Sequence, residues 1–194
     1  MKKSSIKIYL FGLLAIIQLY VPASMILERE EILKDGKEFK FKTAPIDPVD
    51  PFRGRYVRLS FDNNMAEVSD SLSFSRGETV YALLDINDEG FATITQIRKE
   101  LPEEGVDFLK TKVQYETKFR EEKRVILDFP FDRFYMEEFK APEAEIAYRE
   151  NALDTMITSY ALVSIKAGEP VLKDVFIDNM PIKEYVLKYS TESK

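Results

Sequence analysis

Twenty consecutive uncharged residues, Ile8 to Leu27, lie directly behind Lys2, Lys3 and Lys7. No other stretch of the chain restricts its folding as strongly. As a helix the run measures about 30 Å, at about 1.5 Å per residue, which matches a bilayer's hydrocarbon core. Its polar groups are Gln18, Ser24 and the hydroxyls of Tyr9 and Tyr20. Lysines precede the run, and Glu28, Arg29, Glu30 and Glu31 follow it. The positive-inside rule then puts the N-terminus in the cytoplasm and the rest of the chain beyond the membrane. Two other readings compete. A cleaved signal peptide also has a basic start and an apolar middle, and Val21-Pro22-Ala23 offers a cut after Ala23. A buried helix of a soluble protein is the third. Against the cut, the apolar run continues through Met25-Ile26-Leu27. Glu28 to Asp35 then reads as more helix, with Ile32 and Leu33 on one side and Gly36 as a C-cap. Residues 1–36 are therefore read as cytoplasmic tip, membrane anchor and juxtamembrane helix. Residues 37–194 form one domain beyond the bilayer.

Absent residue types remove several functions. The 194 residues include no His and no Cys. A disulfide, a thiol nucleophile, a thiolate or imidazole metal site and a Ser-His-Asp triad are all excluded. The formal charge is −6, from 28 basic and 34 acidic residues. Without Lys2, Lys3 and Lys7 the rest of the chain carries −9. Phosphate backbones and anionic lipid would repel such a domain, so no nucleic-acid partner is expected. The lipid bilayer, through residues 8–27, is the expected contact, and no cofactor or metal is.

Beyond Gly36 the apolar pattern changes to period two. Phe39-Lys40-Phe41-Lys42 alternates as a half-buried strand does. Pro45, Pro48 and Pro51 mark an extended, turn-rich approach to a strand over 56–61. Strands over 78–86 and 91–98 flank Asn87-Asp88-Glu89-Gly90, a hairpin turn. Strands over 106–119 and 124–136 follow, with Phe129-Pro130-Phe131 marking an edge, bulge or bend. Pro142, Glu143 and Glu145 suit a helix start, and the helix runs to about Leu153. Strands over 156–166 and 171–178 surround Ala167-Gly168-Glu169, and a last strand covers 184–189. The fold class is mainly β: an N-terminal transmembrane helix, then an antiparallel β barrel or sandwich with one surface helix.

The stretch Gly54-Arg55-Tyr56-Val57-Arg58-Leu59-Ser60-Phe61 resembles the motif of the bacterial GDYXXLXY family. Gly54, Tyr56 and Leu59 match in register, Phe61 replaces the closing Tyr, and Arg55 replaces the Asp. The lead-in Asp47-Pro48-Val49-Asp50-Pro51-Phe52-Arg53 is similar as well. So are the membrane helix before Glu28-Arg29-Glu30, Gly77 to Tyr81, Arg133-Phe134-Tyr135, and Leu172 to Asp178. The resemblance implies a single-anchor protein of the cytoplasmic (inner) membrane, with its domain in the periplasm or outside the cell. The family has no assigned function, and some relatives are fused to or encoded with multispanning membrane proteins.

Read physically, Gly54 permits a positive φ or a close backbone approach. Tyr56, Arg58 and Ser60 share one strand face, and Val57, Leu59 and Phe61 the other. Arg53, Arg55 and Arg58 make a local basic spot in an acidic domain. Arg53, Gly54, Arg55, Tyr56 and Arg58 are the candidate binding residues, for a carboxylate or phosphate. The competing expectation pairs these arginines with Asp47, Asp50 or Asp62, tying the Pro-rich loop to the sheet.

Other chemistry is weaker. Asp85-x-Asn87-x-Glu89-Gly90 partly mimics a calcium loop, but its twelfth position is Gln96 and strands flank it. Ser164 and Lys166 could in principle form a His-free dyad, though a lysine at a strand end is poorly placed for a lowered pKa. Asp128/Asp132 and Glu137/Glu138 are carboxylate pairs that nothing singles out. The aromatics Phe129, Phe131, Phe134, Tyr135 and Phe139 could stack a sugar but are expected mainly in the core. The reading is a non-catalytic accessory or sensor protein that docks on a multispanning membrane partner. The alternatives are a module binding an anionic small molecule or glycan, and a His-free hydrolase.

Overall fold

The computed structural model describes residues 2–44, 56–69, 71–119, 122–135 and 158–189. Helix α1 (Lys2–Asp35) runs without a break through Pro22 and Ala23, so anchor and juxtamembrane segment are one helix. Among the described residues it is the one helix long and apolar enough to cross a membrane, within Tyr9–Asp35. Its large apolar side chains from Tyr9 to Leu27 are exposed, Tyr9, Phe11 and Leu19 each by more than 70%. A soluble core helix does not look like this, because burial is what would stabilise it in water.

Gly36 ends the helix, but not as a left-handed cap: it is absent from the positive-φ glycines. Its role is space. A Cβ there would strike the Ile32 carbonyl and the Ser164 hydroxyl. From Gly36 the chain enters the first strand at once.

Two antiparallel sheets follow. The first has the order β12-β11-β10-β1-β3. It contains β1 (Lys37–Ala44), β3 (Ser60–Phe61), β10 (Ser159–Lys166), β11 (Glu169–Ile177) and β12 (Met180–Pro181). The second has the order β4-β8-β7-β5-β6. It contains β4 (Met65–Val68), β5 (Thr79–Ile86), β6 (Ala92–Arg98), β7 (Phe108–Phe119) and β8 (Glu122–Asp128). Its edge strands β4 and β6 curl round to lie near each other, so the sheet approaches closure into a barrel. A separate ribbon pairs β2 (Tyr56–Arg58) with β9 (Arg133–Tyr135). A single core joins the sheets, with Phe39, Phe41, Val163 and Val175 from the first and Val80, Leu109, Val113 and Leu127 from the second. This is the expected mainly-β fold behind an apolar helix.

Several details differ from expectation. The strand over 56–61 breaks at Leu59: Tyr56–Arg58 pairs with β9, while Ser60–Phe61 pairs with β1. The strand over 124–136 breaks at Phe129-Pro130-Phe131, where proline denies the ladder a donor. Both phenylalanines turn inward there and pack with Phe41 and Phe61, at centroid distances of 5.0 to 5.5 Å. Strand β4 was not expected. The last segment is a helix, α2 (Ile182–Tyr189), and not a strand. Ile182 is fully buried and Tyr185 half-buried, a helical spacing, while Lys183, Glu184 and Lys188 face solvent. It is a surface helix on β11. The helix expected from Pro142 to Leu153 lies outside the described residues.

Candidate functional site

Register brings the motif strand against a distant partner. In the β2–β9 ribbon Tyr56 opposes Tyr135, Val57 opposes Phe134 and Arg58 opposes Arg133. Leu59 extends the contact by donating its N–H to the Asp132 carbonyl at 2.8 Å. Directly opposed residues share a face, with Cβ atoms about 4.5–5.5 Å apart. Arg58 and Arg133 therefore stand as a cross-strand pair on one face of the ribbon, and both are exposed. Phe134, one position on, is buried and anchors the ribbon in the core. Tyr135 is 65% exposed.

Like charges directly opposed destabilise a pair of strands. Asp132, 3.6 Å from the Arg133 Nε, offsets part of this repulsion. Asp62, expected as a structural partner, makes no ion pair with Arg58 among the described residues. Arg53, Gly54 and Arg55 lie outside the described residues, as do Asp47 and Asp50. Of the candidate binding residues the fold thus places Tyr56 and Arg58, and it adds Arg133 and Tyr135 from a remote segment.

The Ser164/Lys166 pair has a role that the sequence did not suggest. The alternate residues Ala161, Val163 and Ile165 of β10 face the common core. Ser164 points the other way, yet it is fully buried because the end of α1 covers that face. Its hydroxyl donates to the Ile32 carbonyl at 2.6 Å. Two residues along, the Lys166 Nζ reaches Glu31 at 2.7 Å and Asp35 at 3.4 Å. The Glu31 hydrogen bond, helped by Asp35, raises the Lys166 pKa above the usual lysine range. A dyad lysine needs the opposite shift. Ser164 and Lys166 are thus engaged in holding the helix. The one signal available in the sequence was a small hydroxyl residue inside an apolar strand, a spacing a solvated face would also explain.

The remaining candidates resolve as structure. Asn87 Oδ1 accepts the N–H groups of Glu89 and Phe91, at 3.1 and 2.8 Å, and Gly90 takes φ +84°, so this loop is a hairpin turn. No group of three or more acidic side chains is placed to hold a metal among the described residues. Phe129, Phe131 and Phe134 are core. Phe139 and the pair Glu137/Glu138 lie outside the described residues.

A family model described as GDYXXLXY protein matches residues 18–175, most of the chain. No curated protein and no solved structure matches it.

Proposed function

The chain belongs to the GDYXXLXY family, and from that premise we propose that it is an accessory or sensor subunit docked on a multispanning membrane protein. It is a single-pass protein of the inner membrane, N-terminus inside, with the β domain in the periplasm or outside the cell. The helix is kept as an anchor and not cut after Ala23. The observation that carries this reading is the clamp between anchor and domain. A tether for a free-standing enzyme needs only a flexible link. Here the Ser164–Ile32 bond and the Lys166 ion pairs fix the helix end to the sheet. A displacement of the domain is thereby passed to the helix, and a partner in the bilayer feels it. Purification in mild detergent tests the reading. A larger multispanning protein should co-purify in a fixed ratio; recovery of the bare monomer would count against it.

A specific observation also supports a second reading, an anion-binding module. The opposed Arg58 and Arg133 put two cations on one face of the ribbon, a charge that a carboxylate or phosphate would complement. Inorganic phosphate should then raise the melting temperature of the full chain in neutral detergent, less so as sodium chloride is added. Arg58→Ala should abolish that shift without lowering the unliganded melting temperature. A fall in that temperature would mean that Arg58 is structural instead.

A further inference from the structure

The segment between β6 and β7 and the β10–β11 turn enclose a cavity of about 480 Å³. Phe39 and Ile165, both buried, and half-buried Phe108 form its apolar floor. Leu101 and Val106, 68% and 40% exposed, stand on its rim with Glu103. The cavity lies at the root of the anchor. Lys37, the first residue of β1, pairs with Asp107 on the rim. Ile165 and Ala167 flank Lys166, which holds Glu31 and Asp35 of the helix. The helix continues from Glu28 to Asp35 past the apolar run, which puts this level about 12 Å above the hydrocarbon.

The pocket is built in advance. The Lys110 N–H donates to the Gly168 carbonyl at 2.9 Å and pins the β10–β11 turn across to the second sheet. The Phe108 ring lies against Gly168, where any Cβ would strike it, and Gly168 takes φ +81°. Tyr81 meets the Phe108 ring edge-on at 5.7 Å. The rim is acidic: Glu103 and Glu104 make no ion pair among the described residues, whereas Asp107 is matched by Lys37.

We propose that this pocket receives an apolar side chain flanked by lysines or arginines, carried on an extramembrane loop of the multispanning partner. This rests on the accessory reading above. The floor selects an apolar group, the unmatched carboxylates select flanking cations, and the height suits a loop leaving the bilayer. An occupant there would touch the turn next to Lys166 and so bear directly on the clamp.

Two arms test it on the full chain in nanodiscs of zwitterionic lipid. In the first, the probes are the capped peptides KKFKK, KKGKK and EEFEE, followed by NMR. KKFKK should shift signals of Phe39, Val106 and Phe108, and a Glu103→Lys/Glu104→Lys variant should weaken it at least tenfold. Equal binding of KKGKK, binding of EEFEE, or shifts elsewhere would overturn the pocket's assignment. So would broadening of Leu101 and Val106 by a paramagnetic lipid without a peptide effect, which would assign the rim to the bilayer. In the second arm the same variant, melting as the parent does, should lose the co-purifying membrane protein. If that protein stays bound, the pocket is not the docking site and the accessory reading survives. If the parent chain recovers none, the accessory reading falls, and with it the loop as occupant.

Discussion

The Ile32 carbonyl joins the anchor to the domain. It accepts the Gly36 N–H at 2.9 Å and the Ser164 hydroxyl at 2.6 Å. That carbonyl and the Ser164 hydroxyl crowd the space a Cβ on Gly36 would fill. Gly36→Ala should therefore cost about 1–3 kcal/mol by overpacking. Gly12→Ala, with nothing nearby, should be silent. Thermal melts of both variants check the pair, and equal behaviour would remove the steric argument. The neighbouring charges add a pH dependence. Glu31 and Asp35 raise the folded-state pKa of Lys166, and Glu169 raises that of Lys110. Burial raises that of Tyr160. A group with a raised folded pKa contributes stability that is complete below its unfolded value and lost as pH rises towards the folded one. Melting temperature should thus fall with pH from about pH 10 upward, where tyrosine and lysine ordinarily titrate. Glu78 behaves oppositely: its hydrogen bond to Lys99 lowers its pKa, so its contribution is complete above the ordinary glutamate range and fades as pH drops below it. Lys166→Gln should flatten part of the alkaline fall and leave the acid limb alone. An unchanged alkaline limb would mean that the clamp's ion pairs contribute nothing measurable.

Elements were legible where local rules decide them. The β5–β6 hairpin and the β10–β11 hairpin stand about where alternation and turn residues put them, the latter on Ala167 and Gly168 at φ 51° and 81°. What the sequence could not show was set by distant partners. Leu59 interrupts a strand because its two halves pair with different neighbours, β9 and β1. Ile182–Tyr189 is rich in residues that suit strands, yet packing of Ile182 and Tyr185 on β11 makes it a helix. Arg133 joined the candidate site only through a register that no local pattern announces. The Phe-Pro-Phe bend combines both cases: the break was readable, but the cluster it builds with Phe41 and Phe61 was not. Phe131 is 4% exposed and touches the rings of Phe41, Phe61 and Phe129. Phe131→Ala should cost about 3–5 kcal/mol, measured by denaturant unfolding. Leu72→Ala, at an exposed position, should fall within about 0.5 kcal/mol of the parent. A loss under about 1 kcal/mol for Phe131→Ala would mean that the bend can collapse into the space left.

For the whole molecule, the decisive question is whether helix and domain move as one body. With no disulfide available, the domain relies on its core, and the sole described covalent link to the anchor is the backbone at Gly36. A lone backbone link would let the helix end fray, since terminal turns open readily. The Ser164 bond and the Lys166 pairs oppose that fraying, the first from a buried site and the second from exposed ones. The second alone is weak, because surface ion pairs are commonly worth about 0–1 kcal/mol. The first gains from burial, where an unmade bond leaves a polar group stranded. Hydrogen exchange on the full chain in nanodiscs can separate these terms. Amides from Ile32 to Gly36 should exchange about as slowly as those of β10. Lys166→Gln should speed them only slightly. Ser164→Val, which removes the donor and adds bulk under the helix, should speed them at least tenfold while β7 and β8 stay protected. If the anchor's last turn exchanges freely in the parent chain, the helix is a tether and the domain works independently of the bilayer. If it is protected and Ser164→Val releases it, the clamp is the element through which an occupant at the anchor's root would reach the membrane.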